Sequence, residues 1–336
     1  MSEYLLLLAP SANRVYADAA PRLAAAEAGA VLGALVGQVE VETRVIAGVP
    51  YLVVRVPEDE RVPGVLARLS ATFAAYLPEG DLLRPLELPE VRRYPDDLVT
   101  IQKYAGKTNE QWTRLCLNVT AAMTAWPARL LDGSLRVLDP LCGRGTTLNL
   151  ALLHGLEVTG VDIDRKDYEA YAAFIKTWAR EHRFKHQVEQ KALTVAGRTR
   201  GRQLTLEIAP DKAAFKAGHT DRLRYVSTDA TDLDGVLRPT SIDVIVTDTP
   251  YGVQHGSHGD RLARSPLGLL DRSLPSWTRV LRTGGAIGLS YNRHVAPVEE
   301  LHELVEQHGL TVCEIPDVRH RVDASIDRDL LVARKA

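Results

Sequence analysis

The sequence predicts an α/β protein: a doubly wound, mostly parallel sheet ending in an antiparallel hairpin, preceded by a small α+β domain. Three observations carry this reading. From residue 135 onward, short apolar runs alternate with helical patterns. The chain closes on two strand-like runs with no helix between them. Its first hundred residues follow a different order, in which strands pair with strands before a helix intervenes.

In that first part, residues 4–8 form an apolar run suited to a buried strand. Residues 21–36 are rich in Ala and Leu, with Pro21 at the start, where helices accept proline. Residues 39–46 and 51–56 are β-branched runs around Ala47-Gly48-Val49-Pro50, a predicted hairpin. Residues 63–76 space Leu, Val and Ala as a helix does, and 81–88 read as a last strand. The order βαββαβ is the ferredoxin-like pattern. A domain over 1–89 is expected, then a linker over 90–109 in which Thr108-Asn109 sits where a helix N-cap belongs.

The remaining domain is expected over 110–336. A helix at 110–124 leads in. Strands follow at 136–139, 158–162, 224–227, 244–247, 286–290, 311–315 and 330–333, with helices at 145–154, 166–181, 267–281 and 297–308. An insertion at about 182–221 interrupts the alternation and is long for such a loop. Between 183 and 202 it carries Arg183, Lys185, Lys191, Arg198, Arg200 and Arg202 against one acid, Glu189. It is either a phosphate-contacting surface, with Arg183, Lys185, Arg198, Arg200 and Arg202 as RNA-binding candidates, or a solvated or disordered loop.

Composition is ordinary for a globular chain of 336 residues: 45% hydrophobic, 25% charged, net charge −2. A globally basic nucleic-acid binder is excluded, so any basic surface is local. No apolar run approaches the roughly 18 residues of a membrane span, and the apolar start lacks the basic flank of a signal peptide. Three cysteines at no metal or disulfide spacing fit a reduced, cytoplasmic setting. The ten histidines form no metal constellation, and no metal is expected.

Four strand ends carry the chemistry. Val137-Leu138-Asp139-Pro140-Leu141-Cys142-Gly143-Arg144-Gly145-Thr146-Thr147 runs from a strand through a glycine turn into a helix. Glycines allow close backbone approach, and a helix N-terminus offers free N–H groups. The full dinucleotide pattern is absent, because Leu148 fills its third glycine position, and no P-loop Lys follows. Asp162, in Val161-Asp162-Ile163-Asp164, ends the second strand, where an acid accepts ribose hydroxyls; Asp164 instead suits a helix cap. Asp229-Ala230 ends the third, within reach of an adenine ring.

Thr247-Asp248-Thr249-Pro250-Tyr251-Gly252 follows the fourth strand. An aromatic amine is a poor nucleophile because its lone pair is conjugated with the ring. A carboxylate and a backbone carbonyl can accept its two N–H groups and turn that lone pair outward. Asp248 and the Thr249 carbonyl fit those acceptors, Pro250 stiffens the turn, and Tyr251 can stack on the base. Cys142 has no base beside it in the sequence and is read as structural.

Together, Asp139-Pro-Leu-Cys-Gly-Arg-Gly-Thr-Thr, Asp162-Ile-Asp and Asp248-Thr-Pro-Tyr-Gly resemble the tRNA guanosine-N2 methyltransferases, RNA methylases often joined to a THUMP domain. Lys107-Thr-Asn-Glu-Gln111 and Arg328-Asp-Leu-Leu-Val332 are similar to that family too, so the resemblance covers about 100–336. It implies a class I, Rossmann-like S-adenosylmethionine-dependent methyltransferase acting on the N2 amine of a tRNA guanosine in the cytoplasm. It further implies that Asp139, Pro140, Gly143, Gly145, Thr146, Asp162, Asp229 and Ala230 hold the cofactor, and that Asp248 to Tyr251 hold a flipped base. Thr249 stands where the family more often has Pro, and the N-terminal region has no room for a THUMP domain. DNA amines, rRNA, a protein amide, or a non-catalytic cofactor-binding scaffold are the alternatives. The sequence does not give the oligomeric state.

Overall fold

Two sheets organise the chain in a computed structural model that describes residues 1–11, 13–104, 106–251 and 266–336. The first contains β1 (Ser2–Leu8), β2 (Glu40–Ile46), β3 (Val49–Val56), β4 (Thr72–Glu79) and β5 (Leu82–Leu86) in the order β2-β3-β1-β4-β5, all antiparallel. Helices α1 (Arg14–Val36) and α2 (Val62–Arg68) complete a ferredoxin-like βαββαβ unit with one added edge strand. Ala47 and Gly48 both have positive φ, the two-residue turn that suits the twist of β2 and β3.

Two expectations are corrected here. The helix expected over 63–76 ends at Arg68, and 72–79 forms β4 beside β1, with Leu5 opposite Tyr76. Thr72, Phe73 and Tyr76 are good strand formers, and ladder pairing outweighs the helical spacing of the smaller residues. The strand expected at 81–88 is the extra edge strand β5, which tolerates Pro85. Secondly, α1 begins at Arg14 rather than at Pro21: Asn13 caps it by accepting from Tyr16 N at 3.1 Å. Pro21 removes one helical bond, but Leu23, Ala24, Val31 and Leu32 are buried and hold the helix in place. By length and composition α1 could cross a membrane, yet its apolar face packs on α4 and the first sheet.

The second sheet contains β6 (Arg136–Asp139), β7 (Glu157–Asp162), β8 (Lys185–Val195), β9 (Arg198–Ala209), β10 (Asp221–Ser227), β11 (Ile242–Asp248), β12 (Leu281–Asn292), β13 (Leu310–Val312), β14 (His320–Arg321) and β15 (Asp327–Lys335). Their order is β13-β15-β12-β11-β6-β7-β10-β9-β8, with β14 on β15. β6, β7, β10, β11 and β12 are parallel, and β15 enters antiparallel between β12 and β13, as the paired ending predicts. Helices α4 (Glu110–Ala122), α6 (Thr146–Leu153), α7 (Arg165–Glu181), α9 (Leu267–Val280) and α10 (Val298–Gln307) flank it, with α3 (Asp97–Thr100), α5 (Arg129–Asp132) and α8 (Lys212–Lys216) as short connections. The chain winds outward from β6 to β10, then returns to β11 on the other side of β6. That reversal opens a crevice at the C-terminal ends of β6 and β11, where ligands bind in such sheets.

The insertion is no loop. β8 and β9 form a long hairpin that adds two antiparallel strands beside β10. Alternating apolar residues such as Leu204, Leu206 and Ile208 are fully buried and fix it to the domain.

The segment expected as a linker packs closely. Leu98 O accepts from Asn149 Nδ2 at 2.9 Å, and Trp178 Nε1 donates to Asp97 Oδ1 at 3.0 Å. A single buried cluster joins both sheets, running from Leu6 and Leu32 to Trp112 and Leu117. Within the junction, fully buried Glu27 accepts from Ser70 N at 3.0 Å and Asn118 Nδ2 at 2.7 Å.

Candidate active site

The crevice is a cavity of about 580 Å³ lined by Asp139, Gly143, Thr146, Thr147, Thr247, Asp248 and Ser290, with Tyr104 and Thr108 from the preceding segment. Asp139 closes its floor. Its Oδ1 accepts from Leu141 N at 3.1 Å and Thr247 Oγ1 at 2.8 Å, tying the ends of β6 and β11 together. Burial pushes its pKa up to about 7, opposed by the Thr147 and Thr247 hydroxyls.

The glycine turn does two jobs. Gly143 lines the cavity with φ 47°, and a Cβ there would have space. Gly145 has φ 82°, and a Cβ would collide with the Tyr171 ring, so packing on α7 rather than ligand approach requires this glycine. α6 has no side-chain cap, which leaves its first N–H groups facing the cavity beside Thr146 and Thr147. An anionic group fits there.

Asp162 stands at the end of β7 and accepts from Gly143 N and Asp164 N, both at 2.8 Å. Burial raises its pKa against those two bonds. Asp164 is the cap of α7, accepting from Lys166 N. Asp229 is exposed and turns back on Thr231 N at 2.9 Å, while Ala230 is buried and its carbonyl accepts from Trp277 Nε1. Asp139, Gly143 and Thr146 thus share the cavity wall, whereas Asp162, Asp229 and Ala230 lie along the same sheet edge without lining it. Buried Pro140 continues the turn. Burial also raises the Cys142 thiol, with Asp139 and Asp162 adding to the effect, so no reactive thiolate forms there.

Asp248 ends β11 at the opposite wall. Its Oδ2 accepts from Thr108 Oγ1 at 2.5 Å. Its Oδ1 accepts from Ser290 Oγ at 2.7 Å and from the Tyr251 hydroxyl. Trp112 Nε1 in turn donates to Ser290 Oγ at 3.0 Å. Thr249 binds the Ser290 carbonyl twice, through N at 2.8 Å and Oγ1 at 3.0 Å. A proline here would lack the first of these bonds. Among the described residues nothing donates to the Thr249 carbonyl, and Pro250 is exposed. Tyr251 is not splayed outward: its hydroxyl points at Asp248, and the Arg328 guanidinium covers its ring at 5.1 Å. Burial and Asp248 both raise the Tyr251 hydroxyl, so it stays a neutral donor. Gly252 lies outside the described residues.

Thr108, Trp112, Ser290 and Arg328 are the residues that sequence reasoning left without a role at the site; the sequence reads Thr108 only as part of a helix cap, which Asn109 supplies. Thr108 and Arg328 sit in segments that resemble the family, and Ser290 ends a strand next to Asp248. No spacing rule links them, because they meet only through the fold.

The basic candidates of the insertion separate. Lys185 lies opposite Ala209 in the ladder, at the end of the hairpin remote from the cavity, with Arg183 just before it. Arg198, Arg200 and Arg202 lie near the ligand edge, with Arg202 opposite Ser227. Arg200 is neutralised by Asp232 at 2.8 Å and by two carbonyls. Lys185 sits 5.6 Å from the Phe215 ring centre. Among the described residues, no group of three or more His, Cys, Asp or Glu could hold a metal.

A doubly wound sheet with an antiparallel strand, here β15, inserted beside its last parallel strand and acids at successive strand ends defines the class I methyltransferase architecture. Residues 119–301, more than half of the chain, match the family described as UPF0020, RMKL-like, methyltransferase domain. The chain belongs to this methyltransferase family, that of the THUMP-linked RNA methylases. No curated protein matches the sequence. Among solved structures, a 1,6-didemethyltoxoflavin-N1-methyltransferase from Burkholderia thailandensis is 17% identical, with 67% of this chain and 78% of that chain covered at a TM-score of 0.41. The [4+2]-cyclase SpnF is also 17% identical, with 70% and 84% covered at 0.41. The magnesium protoporphyrin IX methyltransferase of Synechocystis PCC 6803 is 13% identical, with 69% and 87% covered at 0.37.

Proposed function

We propose that this protein methylates the exocyclic N2 amine of a guanosine in tRNA, in a reduced, cytoplasmic setting, with S-adenosylmethionine as methyl donor. The observation that carries the reading is the position of Asp248: a hydroxyl-anchored carboxylate on a cavity wall, across from the glycine turn and the uncapped α6 N-terminus. The donor's methionine carboxylate fits the free N–H groups of α6, and Asp162 has lone pairs left for ribose hydroxyls. Bound there, the donor supplies an electrophilic methyl group on sulfur.

The chain's own residues do the rest. Asp248 accepts one N–H of the target amine, replacing the Tyr251 hydroxyl, and the Thr249 carbonyl accepts the other. Both acceptors draw the lone pair out of conjugation with the ring and toward the methyl group. After transfer the nitrogen carries an extra proton, which Asp248 is placed to take. Tyr251, freed from Asp248, offers the ring face not covered by Arg328 to the flipped base. Catalysis of this kind rests on alignment more than on acid–base strength.

The test is incubation with labelled S-adenosylmethionine and separate pools of unmodified tRNA, ribosomal RNA and DNA, followed by nucleoside mass spectrometry. Label in N2-methylguanosine from tRNA supports the reading. Label only in a DNA base or in ribosomal RNA moves the substrate and rejects tRNA.

A further inference from the structure

A second, larger cavity lies between the first sheet and the segment that precedes α4. It measures about 1000 Å³, and its walls include Phe73 of β4, Arg92, Lys103, Lys107 and Arg114. Tyr104 and Thr108 line both this cleft and the catalytic cavity, so the two adjoin at those side chains. Thr108 is the residue that donates to Asp248.

The charges in the cleft do not cancel locally. Its acids are Glu90, Asp96 and Glu110. Arg92 pairs with Glu90 at 3.1 Å and Asp96 at 2.5 Å, and Lys107 pairs with Glu110 at 2.7 Å. Lys103 and Arg114 have no ion-pair or hydrogen-bond partner among the described residues. Arg114 is half-buried: burial lowers its pKa, and Asp96 and Glu27 restrain the drop from beyond pairing distance. Nearby but outside the cleft's lining, Arg68 is 5% exposed with Nε and Nη1 unbonded among the described residues, and burial lowers its pKa to about 10 against the pull of Asp132. An unpaired guanidinium such as that of Arg114 in a partly dry cleft is costly, and an incoming anion relieves that cost. At the rim, Phe73 is 69% exposed, a large apolar ring left in water beside cations. Cations along a groove with an exposed aromatic ring are the recognition pattern for a single nucleic-acid strand.

We propose that this cleft is the track for the RNA strand that carries the target nucleotide, with Arg114 and Lys103 contacting backbone phosphates and Phe73 stacking on a base. The inference rests on the RNA reading above. It moves the principal RNA surface from the β8–β9 hairpin to the junction of the two sheets, and it gives the N-terminal unit a substrate-binding role.

The experiment measures binding of unmodified tRNA transcripts by fluorescence anisotropy from about 50 to 200 mM KCl, for the parent, Arg114→Ala, Lys103→Ala and Phe73→Ala. Affinity for S-adenosylmethionine, measured by calorimetry, monitors folding. Arg114→Ala and Lys103→Ala are each expected to flatten the log–log salt slope by about 0.7 to 0.9. Phe73→Ala is expected to weaken binding about fivefold or more with the slope unchanged. Lys103 and Phe73 are exposed, so these two variants report even if Arg114→Ala folds poorly. Parental affinity and slope in Lys103→Ala and Phe73→Ala overturn the inference. Inorganic phosphate that raises the melting temperature of the parent but not of Arg114→Ala, with RNA binding equal in both, assigns the cleft to free phosphate and also overturns it. If the parent neither binds nor methylates RNA, the function proposed above fails. If the parent methylates RNA and the variants bind it as the parent does, only the cleft assignment fails.

Discussion

Ser290 Oγ lies 2.7 Å from Asp248 Oδ1 and donates to it, because an ionised carboxylate can only accept. The indole N–H of Trp112, which is only a donor, gives its proton to the same Ser290 oxygen at 3.0 Å, and the Tyr251 hydroxyl lies 3.1 Å from it. We expect Ser290→Ala and Trp112→Phe each to lower kcat about tenfold, the worth of one hydrogen bond to a charged group. KM for S-adenosylmethionine should stay at the parental value, and Ser290→Thr should restore most of the rate. Steady-state kinetics checks this; a KM that rises as kcat falls, without rescue by Thr, would point to general damage.

Tyr251 gives a second prediction. In the free protein its hydroxyl fills an acceptor position on Asp248 that the target amine needs. Tyr251→Phe should therefore keep the rate, while Tyr251→Ala should lose about fivefold or more through the missing stacking surface. If Phe proves as damaging as Ala, the hydroxyl rather than the ring carries the function.

Asp139 sets a pH dependence of stability. Its folded pKa of about 7 lies above the ordinary carboxylate value of about 3.9. The folded state then holds the proton where the unfolded chain has released it, so stability falls as pH rises from about 4 to about 7 and levels off beyond. Asp139→Asn keeps both acceptor bonds made by Oδ1 and removes the charge. Melting temperatures at acid and alkaline pH should show a weaker decline in this variant than in the parent. Identical curves would mean that Asp139 is not the titrating group.

Gly145 predicts a packing effect. With φ at 82° and the Tyr171 ring occupying the space a Cβ would need, Gly145→Ala should cost about 1 to 3 kcal/mol. Denaturant titration measures this, and a loss under a few tenths would show that α6 and α7 shift apart freely.

Much of the second sheet was legible because strands such as β6, β7 and β11 contain short apolar runs closed by a turn, and helices such as α7, α9 and α10 carry one apolar face. The strand ends bearing Asp139, Asp162 and Asp248 fall in the structure where those patterns put them. What stayed hidden depends on long-range pairing. Residues 72–76 have helical spacing but a strand partner in β1, which no local pattern reveals. The hairpin after α7 looked like a charged loop, because its solvent face carries the Arg and Lys residues while Leu204, Leu206 and Ile208 alternate beneath. Thr108 and Trp112, four residues apart at the start of α4, meet Ser290 of the distant β12 around one carboxylate only in the closed fold.

The central claim is that Asp248 acts on the target amine and not on cofactor binding. The most direct test compares the parent with Asp248→Ala, measuring S-adenosylmethionine affinity by calorimetry and methyl transfer to unmodified tRNA in the same preparations. Affinity should change by less than about threefold, while transfer should fall by about a hundredfold or more. Transfer at the parental rate, or a loss explained wholly by weakened cofactor binding, would contradict the assignment.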